Sequence, residues 1–139
     1  MQSLSMKELS VGQKAEKDFI VTKETGVAYA DVSGDKNPLH LDENYAKNTR
    51  FGREIAHGML LGGYISGMIG MELPGEGCIY MKQELTFLRP VYYGDTIRVE
   101  IIVSELQQEK KRAVLSTSCY NQKGEQVIAG SALVKPKED

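Results

Sequence analysis

Apolar and polar positions divide the chain into two halves of different period. Residues 58–71 carry apolar side chains at helical spacing, whereas from residue 79 onward they partly alternate, as strands with one buried face do. Val11 to Val21 predicts a first strand. Thr22 can then cap a helix through Val27, Tyr29 and Ala30 that ends near Ser33 and Gly34. The segment from Gly34 to His40 cannot continue that helix, because Pro38 lacks an amide hydrogen and pushes Asn37 toward an extended conformation, so a stiff loop is expected. Asp42 can cap a short turn through Tyr45 and Ala46, and a basic connection around Arg50, Phe51, Gly52 and Arg53 follows.

From Gly58 to Met71 the chain has no charged side chain and mixes bulky aliphatics with glycines at helical spacing. Each glycine inside a helix costs roughly 1 kcal/mol relative to alanine. The expected compensation is a curved sheet packed close to the helix backbone and burying Leu60, Leu61, Ile65, Met68 and Ile69. The stretch is too short for the roughly 20 residues a membrane span needs. Four β-rich runs come next, Ile79 to Leu88, Ile97 to Val103, Ala113 to Tyr120 and Gln126 to Val134, with connections short enough for hairpins or short crossovers. Segregated helix and sheet predict an α+β fold, and no linker divides residues 1–139, so one domain is expected.

Composition narrows the classes. Hydrophobic residues at 41% and charged residues at 26% lie near the globular balance, away from disorder. A net charge of −2 offers no basic field for nucleic acid or an anionic membrane, so neither is an expected partner. Cys78 and Cys119 lack metal-ligand spacing, and the first residues lack the apolar core of a secretion signal, which together predict a reducing cytoplasm. Without a G-x-G-x-x-G fingerprint, a P-loop or a zinc cluster, no metal and no bound cofactor is expected.

The candidate chemistry sits in the loop. Asp35, Asn37 and His40 fall within six residues on a segment stiffened by Pro38, which can hold an acid–base pair with little entropy lost on binding. Taken singly, each is as well explained as a turn former or a structural histidine. The run Ser33-Gly34-Asp35-Lys36-Asn37-Pro38-Leu39-His40-Leu41-Asp42 resembles the hydratase motif of the MaoC-like, (R)-specific enoyl-CoA hydratase family. The resemblance continues through Phe51, Ala56-His57-Gly58-Met59-Leu60, Phe87-Leu88-Arg89-Pro90-Val91 and Gly94-Asp95.

That resemblance implies the hot-dog fold, a long helix wrapped by a curved antiparallel sheet. It also implies that Asp35 and His40 are a catalytic pair, with Asn37 orienting them. Hydrating an enoyl thioester requires a base for water and a proton donor for Cα, and one pair holding one water can do both. Gly58 stands at the expected helix start, where backbone amides can receive charge developing on the thioester oxygen, so it is the oxyanion candidate. A packing glycine is the plain alternative. His57 reads as a capping or structural partner.

Ser66, two turns along the helix and roughly 12 Å on, and Ile69 are candidates for the far end of the acyl tail, and shortening Ile69 is expected to favour longer chains. Arg50, Arg53, Lys82, Arg89 and the Lys110-Lys111-Arg112 cluster are candidate contacts for the phosphates of coenzyme A, which enters as part of the substrate. The expected reaction converts enoyl-CoA to (R)-3-hydroxyacyl-CoA for fatty-acid or polyhydroxyalkanoate metabolism. Alternatives are a 3-hydroxyacyl-[acyl carrier protein] dehydratase, a non-catalytic acyl-CoA-binding module and a thioesterase. A homodimer is expected, because so small a curved sheet leaves edges and apolar surface uncovered.

Overall fold

In the computed structural model, which describes all 139 residues, strand β1 (Lys14–Ile20) leads into helix α1 (Lys23–Ser33). The Thr22 hydroxyl accepts the Thr25 amide at 3.2 Å to start this helix. Gly34, in the left-handed region at φ 78°, ends it where a side chain would be strained. The next segment is not wholly a loop. Asn37 Oδ1 accepts the Leu39 amide at 3.1 Å and opens a single turn, α2 (Pro38–Leu41). Proline stands at its first position, where its missing amide hydrogen removes no helical bond. Asp42 caps a second turn, α3 (Glu43–Ala46), by accepting the Tyr45 amide at 3.1 Å.

The uncharged stretch forms α4 (Gly58–Met71), followed by β2 (Ile79–Phe87), β3 (Thr96–Gln107), β4 (Arg112–Tyr120) and β5 (Gln126–Lys135). All strand pairs are antiparallel, in the order β1-β3-β4-β5-β2. β3, β4 and β5 form successive hairpins, whereas the chain crosses from β2 at one end of the sheet to β3 near the other. This is the hot-dog arrangement of one long helix and one antiparallel sheet. No helix is long and apolar enough to cross a membrane.

Leu60, Leu61, Ile65, Met68 and Ile69 of α4 enter one core with Val99, Ile101, Val103, Leu115 and Val134 of the strands. Four interior glycines of α4, Gly62, Gly63, Gly67 and Gly70, together cost roughly 4 kcal/mol. Burying those five side chains at roughly 2 kcal/mol each outweighs that cost. The expected reason for the glycines holds only in part. A Cβ on Gly58 would meet the Phe87 ring at 2.6 Å and one on Gly62 would meet Leu85 at 3.3 Å, but Gly63, Gly67 and Gly70 have open space beside them. With Met59, Ser66 and Met71 exposed as well, this side of α4 is left uncovered by the chain's own sheet.

Candidate active site

A cleft of about 410 Å³ opens where the α1–α2 connection meets the N-terminus of α4, and Asp35, His40, His57 and Gly58 line it together. The sequence reading placed Asp35, His40 and Gly58 in one site; the structure gathers all three and adds His57. A carboxylate oxygen of Asp35 and ring nitrogens of His40 and His57 lie within 4.8 Å of one another. That spacing lets one water, about 2.8 Å from each of two partners, bridge the carboxylate and an imidazole.

Local hydrogen bonds explain the placement. Asp35 follows the helix-ending Gly34; its carboxylate accepts the Asn37 amide at 3.2 Å while its own amide donates to Ser33 Oγ at 3.1 Å. Asn37 therefore supports both neighbours, holding the Asp35 carboxylate by its backbone and capping with its side chain the turn that carries His40. His40 Nδ1–H donates to the Ile55 carbonyl at 2.8 Å, which leaves Nε2 as the ring's free lone pair. The His40 and His57 rings stack at 3.9 Å and 28°. With His40 Nδ1 and His57 Nε2 each donating to a backbone carbonyl, His40 Nε2 remains available for proton transfer.

Three carbonyls of this segment receive donors from elsewhere. His57 Nε2–H donates to Asp35 O at 2.9 Å, the Tyr93 hydroxyl to His40 O at 2.9 Å, and Lys23 Nζ to Leu41 O at 3.1 Å. Lys23 is itself paired with Glu54. Burial, with the charge of Glu54 in second place, pushes the Tyr93 phenol up to about 12, so it remains a protonated donor at any pH near neutral. Tyr93→Phe should therefore cost about 1 kcal/mol of stability, the usual net worth of such a bond. It should also lower turnover several-fold by freeing the end of α2; a variant with wild-type melting temperature and kcat would show the bond to be dispensable. Sequence reasoning missed Tyr93 and Lys23, because nothing near either residue marks its contact with a segment 53 and 18 positions away.

Gly58 opens α4, and neither its amide nor that of Met59 finds an acceptor within the chain. Two N–H groups at a helix N-terminus facing a cleft form an electropositive point suited to a carbonyl oxygen acquiring negative charge. Ser66 and Ile69 do not reach this cleft. Along α4 it extends only over Gly58, Met59 and Leu61, while Ser66 is exposed on the uncovered side and Ile69 is fully enclosed in the core. Among the basic candidates, Arg50 and Arg89 line the cleft. Arg53, Lys82 and the Lys110-Lys111-Arg112 cluster do not; Arg53 lies over the Tyr92 ring and Lys82 pairs with Glu84 at the surface.

The MaoC like domain model matches residues 7–123. The (R)-specific enoyl-CoA hydratase of Aeromonas caviae is 42% identical over 132 residues, covering 95% of this chain and 98% of that protein. Among solved structures, an R-hydratase from Pseudomonas aeruginosa in the unliganded form superposes with a TM-score of 0.94 at 45% identity, covering 99% of this chain and 88% of that one. The A. caviae (R)-hydratase involved in PHA biosynthesis superposes with a TM-score of 0.91 at 42% identity, over 94% of this chain and 98% of that one.

Proposed function

The chain belongs to the MaoC-like domain family, and we propose that it is an (R)-specific enoyl-CoA hydratase, a hydro-lyase that adds water reversibly to trans-2-enoyl-CoA. The observation that carries this reading is the meeting of Asp35, His40 and the free amides of Gly58 and Met59 around one cleft. In the proposed reaction a water is held between the Asp35 carboxylate and His40 Nε2. Its oxygen bonds to Cβ, one of its protons passes to the pair, and the pair delivers a proton to Cα on the same face. The product is (R)-3-hydroxyacyl-CoA. The Gly58 end of α4 receives the charge that collects on the thioester oxygen during attack.

No cofactor enters this scheme, since coenzyme A is part of the substrate. Arg50 and Arg89 at the cleft are the side chains we assign to its phosphates. Likeness to a hydratase involved in PHA biosynthesis supports a role supplying hydroxyacyl units to polyhydroxyalkanoate, and two free cysteines suit a cytoplasmic location. The deciding experiment is hydration of an enoyl-CoA length series, followed by loss of the conjugated thioester's ultraviolet absorbance, beside the matching acyl carrier protein substrates. Faster turnover on the carrier protein would make it a dehydratase of that carrier, release of free thiol would make it a thioesterase, and no turnover on either would leave a binding module.

The working unit we propose is a homodimer. β2 closes one end of the sheet with Ile79, Tyr80, Met81 and Phe87 exposed, and Leu88 just beyond is exposed too. This apolar edge and the uncovered side of α4 are the surfaces a second copy would bury. Ser66, exposed on that uncovered side of α4, would be enclosed by the second copy. Light scattering should give twice 15.4 kDa; an active monomer would refute the dimer.

A further inference from the structure

His57 is 2% exposed, and its two ring nitrogens have unequal fates. Nε2 lies 2.9 Å from the Asp35 carbonyl, which can only accept, so the proton sits on Nε2. Nδ1 is therefore an unprotonated acceptor, and it is buried without a partner. His40 shows the opposite tautomer, with its proton on Nδ1 and bonded to Ile55 O. The ring of His57 is also the surface on which His40 stacks, and Tyr29 packs against it at 4.8 Å. One buried side chain thus touches both members of the pair: Asp35 through a backbone bond and His40 through its ring face. Nothing about helix capping requires this, since the His57 side chain makes no capping bond to α4.

We propose that His57 is the positioning residue of the site, its Nε2–H fixing the Asp35 backbone and its ring fixing the plane of His40, so that the two reactive groups share one water. This rests on the reading of Asp35 and His40 as the reacting pair. Unanchored, the Asp35 carbonyl can swing with the loop between Gly34 and Pro38, and misplacement of about 1 Å can cost on the order of 100-fold in rate. His57 touches no substrate atom in this scheme. Its loss should therefore fall on kcat and leave KM nearly as it was.

Glutamine and methionine separate positioning from mere filling of space, because they are similar in size and flexibility and both lack the ring, but only glutamine has a terminal N–H. His57→Met is expected to lower kcat about 10- to 100-fold with KM within about threefold of wild type, and His57→Gln to recover at least about fivefold of that loss. Equal kcat for the two folded variants, or a loss confined to KM, would overturn the proposal. Asp35→Asn assayed alongside separates the two ideas: if it stays active the reading of the pair fails, whereas if it is inactive while both His57 variants are near wild type only the positioning role fails. Should neither His57 variant fold, ¹⁵N spectra of the imidazoles in the wild-type protein decide, because the chain has only 2 histidines. An Nε2–H tautomer at His57 beside an Nδ1–H tautomer at His40 is expected; an Nδ1–H tautomer at His57 would overturn it.

Discussion

Asp35→Asn and His40→Ala are each expected to lower kcat/KM for hydration of crotonyl-CoA by about three orders of magnitude while the protein stays folded, within the usual reach of acid–base catalysis. The fold should survive both changes for local reasons. The Asp35 side chain is about half exposed at 51%, and asparagine keeps the oxygen that accepts the Asn37 amide. His40→Ala removes the bond to Ile55 O, worth about 1 kcal/mol, and one stacked ring. Because both side chains hold the same water, the double variant should be little slower than either single one. Circular dichroism establishes the fold and loss of thioester absorbance the rate; near-wild-type turnover in either folded variant would sink the pair.

The second large effect falls on stability. Ile69→Ala is expected to cost roughly 2 to 5 kcal/mol, the range for deleting an aliphatic side chain from a packed core. Ile69 is fully enclosed, in one cluster with Leu61, Ile65, Ile101 and Leu115. The sequence reading treated this position as the end of an acyl tunnel, where lost bulk would favour longer chains. In the folded chain the space created lies inside the core and away from the cleft, so destabilisation precedes any change in length preference. Urea denaturation checks this: an unchanged midpoint would mean that the core closes over the space or that Ile69 contributes little.

Much of the fold was legible because its punctuation is local. Thr22 and Asp42 act on amides three residues ahead, and Gly34 takes a backbone angle other residues resist, so these helix ends could be placed from neighbours alone. The α2 turn was missed because Pro38 signals a break and a helix start equally well. Strand existence followed from period, but the pairing of β2 with β5 joins segments about fifty residues apart and left no local trace. The candidate site divides the same way. Asp35, Asn37, His40 and Gly58 stand in a compact motif and at a helix start, whereas the donors that hold the segment come from Lys23, His57 and Tyr93 and depend on how distant elements dock. His57 carries one local signal, its place directly before Gly58, and that position suits a helix cap or a structural hydrogen-bond partner equally well.

The strand order also dictates a sequence of events during synthesis. β2 hydrogen-bonds to one neighbour, β5, which ends at Lys135 near the end of the chain. A polypeptide growing from its N-terminus therefore presents Ile79 to Phe87 as an unpaired strand until residues 126–135 have been made. β3 and β4 can close their hairpin in the meantime, but neither can shelter it. For that interval the nascent chain carries an unpaired strand edge, the condition under which strands join the wrong chain, and its backbone partner arrives only with β5.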